Sequence, residues 1–388
     1  MSNSRVWDFV PGEPRYPPSL MSRLTTLSPW RRDSDFMVTF SKLLTDIRKI
    51  VNSKKGLPFI LPGSSSFAVE FAVANLLEPD DVALVIGKGP SSEYLATIAR
   101  SFANAVDLFS LPENVESLDQ LLTAKLEEKP YKVVLVPHVE MSTGNLLPIE
   151  EVERVVREVK AYLVIDAHAS IGAHPVPKAD VITAGSNWAL GSPPGLGVVL
   201  ASERVIEERN GRTGKLPSRY LDMMTWISTM ESYLACEVVP PASVPTILIQ
   251  SLALTAGAIA KNLDQYQKNH SRFSRIFRTN LDKMGIELLQ EDHELVARTF
   301  TVFRLPKEMK SGSFVSTAAK MGLRLDKTTK GKDTREVSVG HAGFLTDDDL
   351  LSLVFHLEEV LTNMGVVLKE SGLVIAGDAL RGKYNNQD

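Results

Sequence analysis

The sequence contains a single cysteine, Cys236, among its 388 residues. One cysteine excludes an intrachain disulfide framework and a zinc site built from several thiolates. Because Cys236 lies in an apolar stretch, we expect it to be a packed thiol and not a nucleophile. The sequence also lacks paired histidines at helical spacing and clustered carboxylates, so it predicts no metal site.

Long apolar runs and a strong charge of one sign are also absent. No apolar run approaches the roughly 20 residues that a membrane helix needs. The opening residues MSNSRVWDFVPGEP contain no apolar segment of the kind found in signal peptides. The formal net charge of −4 gives no basic surface for nucleic acid or for an anionic membrane. We therefore expect a cytoplasmic protein that binds neither nucleic acid nor membranes.

Six apolar segments predict strands, and helical patterns lie between the first four of them. The segments are PFILPG, DDVALVIG, YKVVLVPH, AYLVIDAH, ADVITAG and GLGVVLAS. Continuous runs of Val, Ile and Leu between helices are typical of an α/β protein with a mostly parallel sheet that is buried on both faces. Ligands of such sheets bind at the carboxyl ends of the strands.

The segments outside this pattern predict an arm and a second domain. Prolines near the start exclude a helix interior or a central strand, so we expect an extended arm. A helical pattern runs from Asp35 to Val51, a long amphipathic helix begins near Thr255, and a closing helix spans Asp347 to Met364. The predicted units are the arm (1–25), a large domain (26–255) and a small C-terminal α/β domain (256–388), with a mobile loop at 211–219.

Polar residues follow several predicted strands. Ser64, Ser65 and Ser66 come between a strand and a helix, where N–H and hydroxyl groups either hold a phosphate or cap the helix. Asp166 ends a very apolar strand. A carboxylate at such a place either interacts with a ligand or caps the turn that follows the strand. His168 would share a strand face with Asp166 if that strand continued.

Four segments in order resemble the class V aminotransferases, the group of the alanine–glyoxylate and serine–pyruvate transaminases. They are PGSSSFAVEFAVANLLEPDD (62–81), HVEMSTGNLLPIEEV (138–152), VIDAHASIGAHPV (164–176) and GSNWALGSPPGLGVVLASE (185–203). The resemblance implies the pyridoxal-phosphate-dependent transferase fold, fold type I, with a seven-stranded sheet. It also implies a homodimer, pyridoxal phosphate as cofactor and amino or oxo acids as substrates.

The resemblance assigns roles to individual residues. Those that would hold the cofactor are Ser64, Ser65, Ser66, Ser142, Thr143, Asp166, Asn187 and Ser243. Asp166 would pair with the pyridine nitrogen, and Ser243 would bind the phosphate, often that of the partner subunit. Ser142 and Thr143 would approach the ring, although their turn ending at Gly144 explains them equally well. At the position of His168 relatives have a small apolar residue that packs under the ring, and a histidine there would stack on the ring, act as a base or form a hydrogen-bonded pocket wall.

Three departures from the family pattern concern the chemistry. The lysine that binds the cofactor covalently falls at Trp188, and an indole cannot replace a primary amine. The arginine that binds the substrate carboxylate falls at Ser338, with Arg335 and Lys332 close by in sequence. The aromatic residue that stacks on the ring falls at Ser91, with Tyr94 three residues later.

Three functions follow from these departures. The one we favour is a protein degenerate in standard transamination, which serves as a binding or regulatory subunit. The alternative is an active aminotransferase for alanine or serine with glyoxylate or pyruvate, which holds the cofactor noncovalently and uses His168 as base. The third is a conventional transaminase in which another lysine serves. Lys88, Lys330 and Lys332 are the candidates, although each is also explained as a solvated loop residue.

Overall fold

The structure is a computed structural model that describes residues 6–24, 34–112, 117–212, 214, 216–235, 245–290, 294–328 and 335–382. The helices in this part of the chain are α1 (Pro18–Leu24), α2 (Ser34–Ile50), α3 (Ser65–Leu76), α4 (Pro90–Ala99), α5 (Leu118–Glu127), α6 (Ile149–Glu158), α7 (Glu203–Gly211), α8 (Met223–Leu234), α9 (Thr246–Lys261), α10 (Leu263–Met284), α11 (Ser311–Lys320), α12 (Asp347–Asn363) and α13 (Gly372–Leu380). The strands are β1 (Trp7–Asp8), β2 (Leu57–Pro62), β3 (Val82–Ile86), β4 (Ala105–Phe109), β5 (Tyr131–Pro137), β6 (Tyr162–Asp166), β7 (Val181–Gly185), β8 (Leu196–Ala201), β9 (Glu287–Leu288), β10 (Phe300–Arg304), β11 (Leu323–Arg324), β12 (Asp326–Lys327) and β13 (Glu336–Gly340).

A seven-stranded sheet forms the larger part of the fold. Its strand order is β2-β8-β7-β6-β5-β3-β4. Strand β8 is antiparallel to both of its neighbours, and the other paired strands are parallel. Every residue of β6, β7 and β8 is buried, as their continuous apolar sequences require. The α/β fold with a large, mostly parallel sheet is therefore confirmed.

The seventh strand, β4, is one that the apolar pattern did not predict. It lies at the edge of the sheet beside β3, and its side chains are only partly buried. Asp107 in its centre binds Lys129 at 2.7 Å and Tyr131 at 2.5 Å. An edge strand needs no continuous apolar run, which is why the sequence pattern missed it.

A four-stranded antiparallel sheet in the order β12-β13-β10-β9 lies in the C-terminal part of the chain. It has its own apolar core, in which side chains of β10 and β13 pack against α10, α11, α12 and α13. The boundaries of the two units stay a prediction.

The helical region before this second sheet differs from the prediction. In place of one long helix from Thr255, the chain forms α9 and α10, which meet at a bend of 91°. Within the described residues no single helix is long and apolar enough to cross a membrane, and only this bent pair, taken together, meets the length and composition required. A further helix, α13, follows the predicted closing helix α12.

The N-terminal arm lies against the second sheet. Strand β1 pairs with β11, Phe9 is buried, and the Gly340 amide donates to the Phe9 carbonyl at 2.6 Å. A Cβ atom on Gly340 would lie 2.6 Å from the Val10 carbonyl oxygen, so the arm fits only against a residue without a side chain. The arm is not extended throughout, since its last part forms the helix α1. Pro18 occupies the first position of this helix, where proline is tolerated.

Several predictions concern residues outside the described ranges. These are the packed thiol of Cys236, the phosphate contact of Ser243 and the candidate lysines Lys330 and Lys332. The predicted mobile loop at 211–219 is described only in part, without Thr213 and Lys215.

Candidate functional site

The carboxyl ends of β2, β3, β5 and β6 meet at a cavity of about 230 Å³. This is the edge at which doubly wound sheets bind their ligands. The cavity brings together four residues that the sequence predicted, two serines, an aspartate and a histidine. The residues that line it are Ser65, Ser66, Pro90, Ser91, Tyr94, Met141, Asp166 and His168.

The start of α3 provides a place for an anionic group. The Ser64 hydroxyl caps the helix by accepting the Phe67 amide at 3.3 Å. The amides of Ser65 and Ser66 have no hydrogen-bond partner within the described part of the chain, as expected in the first turn of a helix. A Cβ atom on Gly197 would lie 2.9 Å from the Ser64 carbonyl oxygen, so this glycine lets the helix end approach the sheet. One serine therefore caps the helix, and the next two amides remain for a phosphate.

Asp166 and His168 form a hydrogen-bonded pair beside this helix end. Strand β6 ends at Asp166 and does not continue to His168, contrary to the condition under which we expected a shared face. The His168 side chain nevertheless returns to the carboxylate, with Nδ1 2.9 Å from Oδ2 of Asp166. The other oxygen accepts the His168 amide and the Thr183 hydroxyl, both at 3.3 Å. Three hydrogen bonds therefore fix the carboxylate of Asp166 and, with it, the His168 ring.

The pair changes the proton affinity of the imidazole. Burial alone would lower the pKa of His168, but the charge of Asp166 and its hydrogen bond raise that pKa above its ordinary value. Nδ1 is bound to the carboxylate, and Nε2 has no hydrogen-bond partner among the described residues. Nε2 is therefore the nitrogen left to exchange a proton at the cavity.

Trp188 lies in a single 3-10 turn directly after β7. Its backbone φ of +54° falls in the left-handed region, which is unusual for a bulky residue. The indole is 6% exposed and packs edge to face on His168 and on Phe300, with ring centroids 5.7 Å apart in both pairs. On another side it contacts Gly12 of the arm, where a Cβ atom would lie 3.4 Å from the indole nitrogen. The indole is therefore fixed between the two sheets and the arm.

Asn187 binds the arm and does not line the cavity. Its side-chain amide donates to the Gly12 carbonyl at 3.0 Å. This contact uses one of the two N–H groups of the amide, and the predicted role of Asn187 as a cofactor ligand stays a prediction.

The turn at residues 140–144 places its hydroxyl groups away from the cavity lining. The Ser142 hydroxyl donates to Glu140 at 2.8 Å, and the Thr143 hydroxyl accepts the Asn145 amide at 3.2 Å. Met141 is the residue of this turn that lines the cavity. The predicted approach of Ser142 and Thr143 to a cofactor ring stays untested.

Ser338 and Arg335, the positions predicted for binding the substrate carboxylate, lie on β13 and directly before it. Ser338 is buried opposite Val302, whereas its neighbours Val337 and Val339 point into the second core. Because residues alternate along a strand, Ser338 faces the same side as Val302, toward the cluster that contains Trp188. Arg335 precedes β13 and donates to the Leu305 carbonyl at 3.4 Å, at the end of the strand that is remote from Gly340.

No lysine lines the cavity among the described residues. Lys88 follows β3, but its side chain is exposed and does not belong to the lining, unlike its near neighbours Pro90 and Ser91. A larger cavity of about 780 Å³ lies between the arm and the start of α12, and it contains none of the predicted functional residues.

The chain resembles known aminotransferases in sequence. The family model for class V aminotransferases matches residues 30–219. The chain is class V aminotransferase-like. It is 25% identical to an uncharacterized aminotransferase of Methanocaldococcus jannaschii, covering 96% of this chain and 97% of the relative. It is 24% identical to a serine–glyoxylate aminotransferase of Hyphomicrobium methylovorum, covering 93% of this chain and 91% of the relative.

The fold agrees with solved structures of the pyridoxal-phosphate-dependent aminotransferases. Ureidoglycine–glyoxylate aminotransferase from Bacillus subtilis superposes with a TM-score of 0.88 at 20% identity, covering 98% of this chain and 99% of the other. Class V aminotransferases use pyridoxal phosphate. The free amides at the start of α3 and the carboxylate of Asp166 are groups of the kind that bind a phosphate and a protonated ring nitrogen. Among the described residues that line the cavity, none supplies an amine for a covalent bond.

Sequence reasoning missed two residues that border this aminotransferase-like site. Gly12 of the arm contacts both Asn187 and Trp188, although no local pattern predicted a contact over such a sequence distance. Glu140 is 4% exposed and lies inside a segment that carried the resemblance. The sequence feature that could have revealed Glu140 is a single carboxylate in an otherwise uncharged loop, directly after an apolar strand.

Proposed function

We propose that this class V aminotransferase-like protein binds pyridoxal phosphate noncovalently and is degenerate in standard transamination. The observation that carries the proposal is the buried indole of Trp188, which packs on His168 and stands where the resemblance places the cofactor lysine. A secondary amine within an aromatic ring is not basic and forms no covalent bond with an aldehyde under physiological conditions. The protein would then serve as a binding or regulatory subunit.

The residues at the cavity support retention of the cofactor. The amides of Ser65 and Ser66 would hold the phosphate at the positive end of α3. Asp166 would orient the ring through its nitrogen, because a carboxylate has acceptor positions beyond those that His168 and Thr183 use. When bound, the cofactor supplies a ring that withdraws electrons from the attached carbon.

Titration of the wild-type protein with pyridoxal phosphate tests this proposal. We expect a visible absorbance change that dialysis reverses, because the indole offers no covalent attachment. After borohydride reduction the intact mass should remain that of the chain alone. The same treatment of a commercial lysine-dependent aminotransferase serves as the positive control. A reduced adduct on a lysine peptide of this protein would contradict the proposal, and so would the absence of any binding.

A second candidate is an active aminotransferase, and the Asp166–His168 pair favours it. An imidazole oriented by a carboxylate at 2.9 Å, with its second nitrogen left for a proton, is a common general base. In this reading Nε2 of His168 takes the α-proton of alanine or serine, a task that the missing lysine would otherwise perform. The acceptor would be glyoxylate or pyruvate.

Exchange of the α-proton of L-alanine into deuterated water, with pyridoxal phosphate present, tests the second candidate. We expect His168→Asn to slow this exchange by about 10² to 10⁴, the usual contribution of a positioned base. His356→Asn is the matched control, since His356 lies on α12 beside Glu359 and away from the cavity. Exchange in the wild type no faster than that of free cofactor would eliminate this candidate.

We also propose that the chain forms a homodimer, as the resemblance implies. Exposed apolar side chains occur on four helices that pack against one another, α1, α2, α8 and α9. They are Met21, Val38, Leu234 and Ile247, which are 36% to 60% exposed. Exposed apolar side chains on neighbouring helices are typical of an interaction surface. The cytoplasmic location and the three predicted units remain parts of the proposal.

A further inference from the structure

The carboxylate of Glu140 connects the two loops that form one wall of the cavity. One loop leads from β3 into α4 and contributes Pro90, Ser91 and Tyr94 to the lining. The other follows β5 and contributes Met141. Glu140 itself does not belong to the lining, and it is 4% exposed. Glu140 therefore contacts the cavity only through the residues of these two loops.

Three donors converge on this carboxylate. The Ser142 amide and hydroxyl donate to Oε1 at 3.0 Å and 2.8 Å, which holds the turn of its own loop. The Ser91 amide donates to Oε2 at 3.3 Å across the gap between the loops. In return the Ser91 hydroxyl accepts the Met141 amide at 2.9 Å. The two loops are thus joined by a reciprocal pair of hydrogen bonds.

The same carboxylate takes the place of a helix cap. Gly89 is the N-cap of α4 and has no side chain to accept the first amides, so Glu140 accepts the Ser91 amide from the neighbouring loop. The backbone permits this close approach because a Cβ atom on Gly89 would lie 2.7 Å from the carboxyl carbon of Glu140. A negative charge at this end of α4 is also favoured by the helix dipole.

We propose that Glu140 is a positioning residue, which fixes the Pro90–Tyr94 wall relative to Asp166 and His168 and thereby sets the affinity for pyridoxal phosphate. The affinity part rests on the proposed function, whereas the fixing of the wall does not. This role also gives the Ser91 hydroxyl a function, because the hydroxyl accepts the Met141 amide and so forms one of the two hydrogen bonds between the loops.

The variant Glu140→Gln tests the proposal. An amide group keeps the size of the side chain but replaces one acceptor by a donor, so at least one partly buried N–H of Ser91 or Ser142 loses its partner. We expect the Kd for pyridoxal phosphate to rise about tenfold, which corresponds to one unpaired buried group. We also expect weaker circular dichroism of the bound cofactor in the visible range, because the ring would be less fixed.

Glu93→Gln is the matched control, because Glu93 carries the same charge in the first turn of the same helix but is exposed. Its Kd should stay within about twofold of the wild type. An equal loss of affinity in both variants would show a general charge effect and overturn the proposal. An unchanged Kd in Glu140→Gln would overturn it as well.

Hydrogen exchange of the unliganded protein separates this proposal from the proposed function. The segment 88–95 should exchange at least several-fold faster in Glu140→Gln than in the wild type, with no change in the distant helix α12. If the wild type binds no pyridoxal phosphate, the proposed function fails and this exchange result alone decides for or against Glu140. Should Glu140→Gln fail to fold, Ser142→Ala removes a single donor, and unchanged exchange in 138–146 and 88–95 would overturn the proposal.

Discussion

Trp188→Lys should convert reversible binding of pyridoxal phosphate into covalent attachment. We expect a borohydride-stable adduct of one cofactor per chain, located on the peptide that contains position 188. The wild-type protein should show none, so the expected difference is between no attachment and complete attachment. The physical reason is the position of the indole, which packs directly on His168 at the cavity that Asp166 and the start of α3 also form.

Measurement requires intact-mass and peptide mass spectrometry after reduction, together with the absorbance spectrum before it. Trp188→Arg is the matched control, because it introduces a cation of similar length that forms no such bond. Both substitutions remove the packing of a 6% exposed indole on Phe300, so any loss of stability should be common to the two variants. An adduct in Trp188→Arg, or none in Trp188→Lys, would show that the functional position lies elsewhere.

Transamination by Trp188→Lys should nevertheless remain low. Ser338 stands where the resemblance places the arginine that binds the substrate carboxylate, and a hydroxyl supplies neither the charge nor the bidentate geometry. Arg335 is bound to the Leu305 carbonyl near the opposite end of β13 and does not compensate. Full transaminase activity from the one substitution would show that the carboxylate binds at another residue.

Acidification from pH 7 to pH 5.5 should destabilise the fold strongly. Four buried histidines lie where the two sheets approach each other. They are His138, His174, His270 and His341. Burial lowers the pKa of His138 and His270 to about 4 and that of His341 to about 3, and it lowers the pKa of His174 as well. These side chains are therefore neutral in the folded chain, whereas in the unfolded chain they bind protons below about pH 6.5.

One contact shows why the folded chain resists protonation. Nε2 of His174 accepts the Arg298 amide at 2.8 Å, so a proton on this nitrogen would break a buried hydrogen bond. The positive charge of Arg298 lowers the pKa of His174 and His270 further, after the larger effect of burial. The stability that these groups contribute is fully present above pH 6.5 and is lost as the pH falls toward 4.

Each of the four groups destabilises the fold by at most about 1.4 kcal/mol per pH unit, which amounts to roughly 5 kcal/mol in total between pH 7 and pH 5.5. The pKa values of His168 and Glu140 are raised in the folded chain, so protonation of these two groups stabilises the fold as the pH falls. These two groups offset only part of the loss from the four histidines. Urea unfolding followed by tryptophan fluorescence at both pH values measures the difference. His341→Gln should reduce the pH dependence, because it removes one of the four groups. Equal unfolding midpoints at pH 7 and pH 5.5 would contradict the prediction.

The large sheet was predictable from sequence because its buried strands carry continuous apolar runs. The positions of Ser65, Asp166 and His168 followed from the same rule, since parallel strands end at one edge. Strand β4 was missed because an edge strand shows no such run. The break after α9 was missed because both helices continue an amphipathic pattern, whereas the direction of the chain depends on tertiary packing.

The surroundings of Trp188 could not be predicted from sequence. The substitution itself is visible in the sequence, but its contacts with Gly12 and Phe300 join residues that are more than a hundred positions away in both directions. The Ser142 hydroxyl likewise points to the buried carboxylate of Glu140, which also accepts the Ser91 amide from a second loop. Local patterns specify which residue types occur at a strand end, whereas their orientation is decided by neighbours distant in the sequence.

The arm spans the interval between the two sheets and is anchored on both. Phe9 is buried in the core beside β13, while the Gly12 carbonyl is bound by Asn187 after β7. Only two residues separate these anchors, and a chain of that length extends by about 10 Å at most. A hinge motion of the two sheets would have to detach one anchor first. The arm therefore restricts the two sheets to small relative motions while both contacts hold.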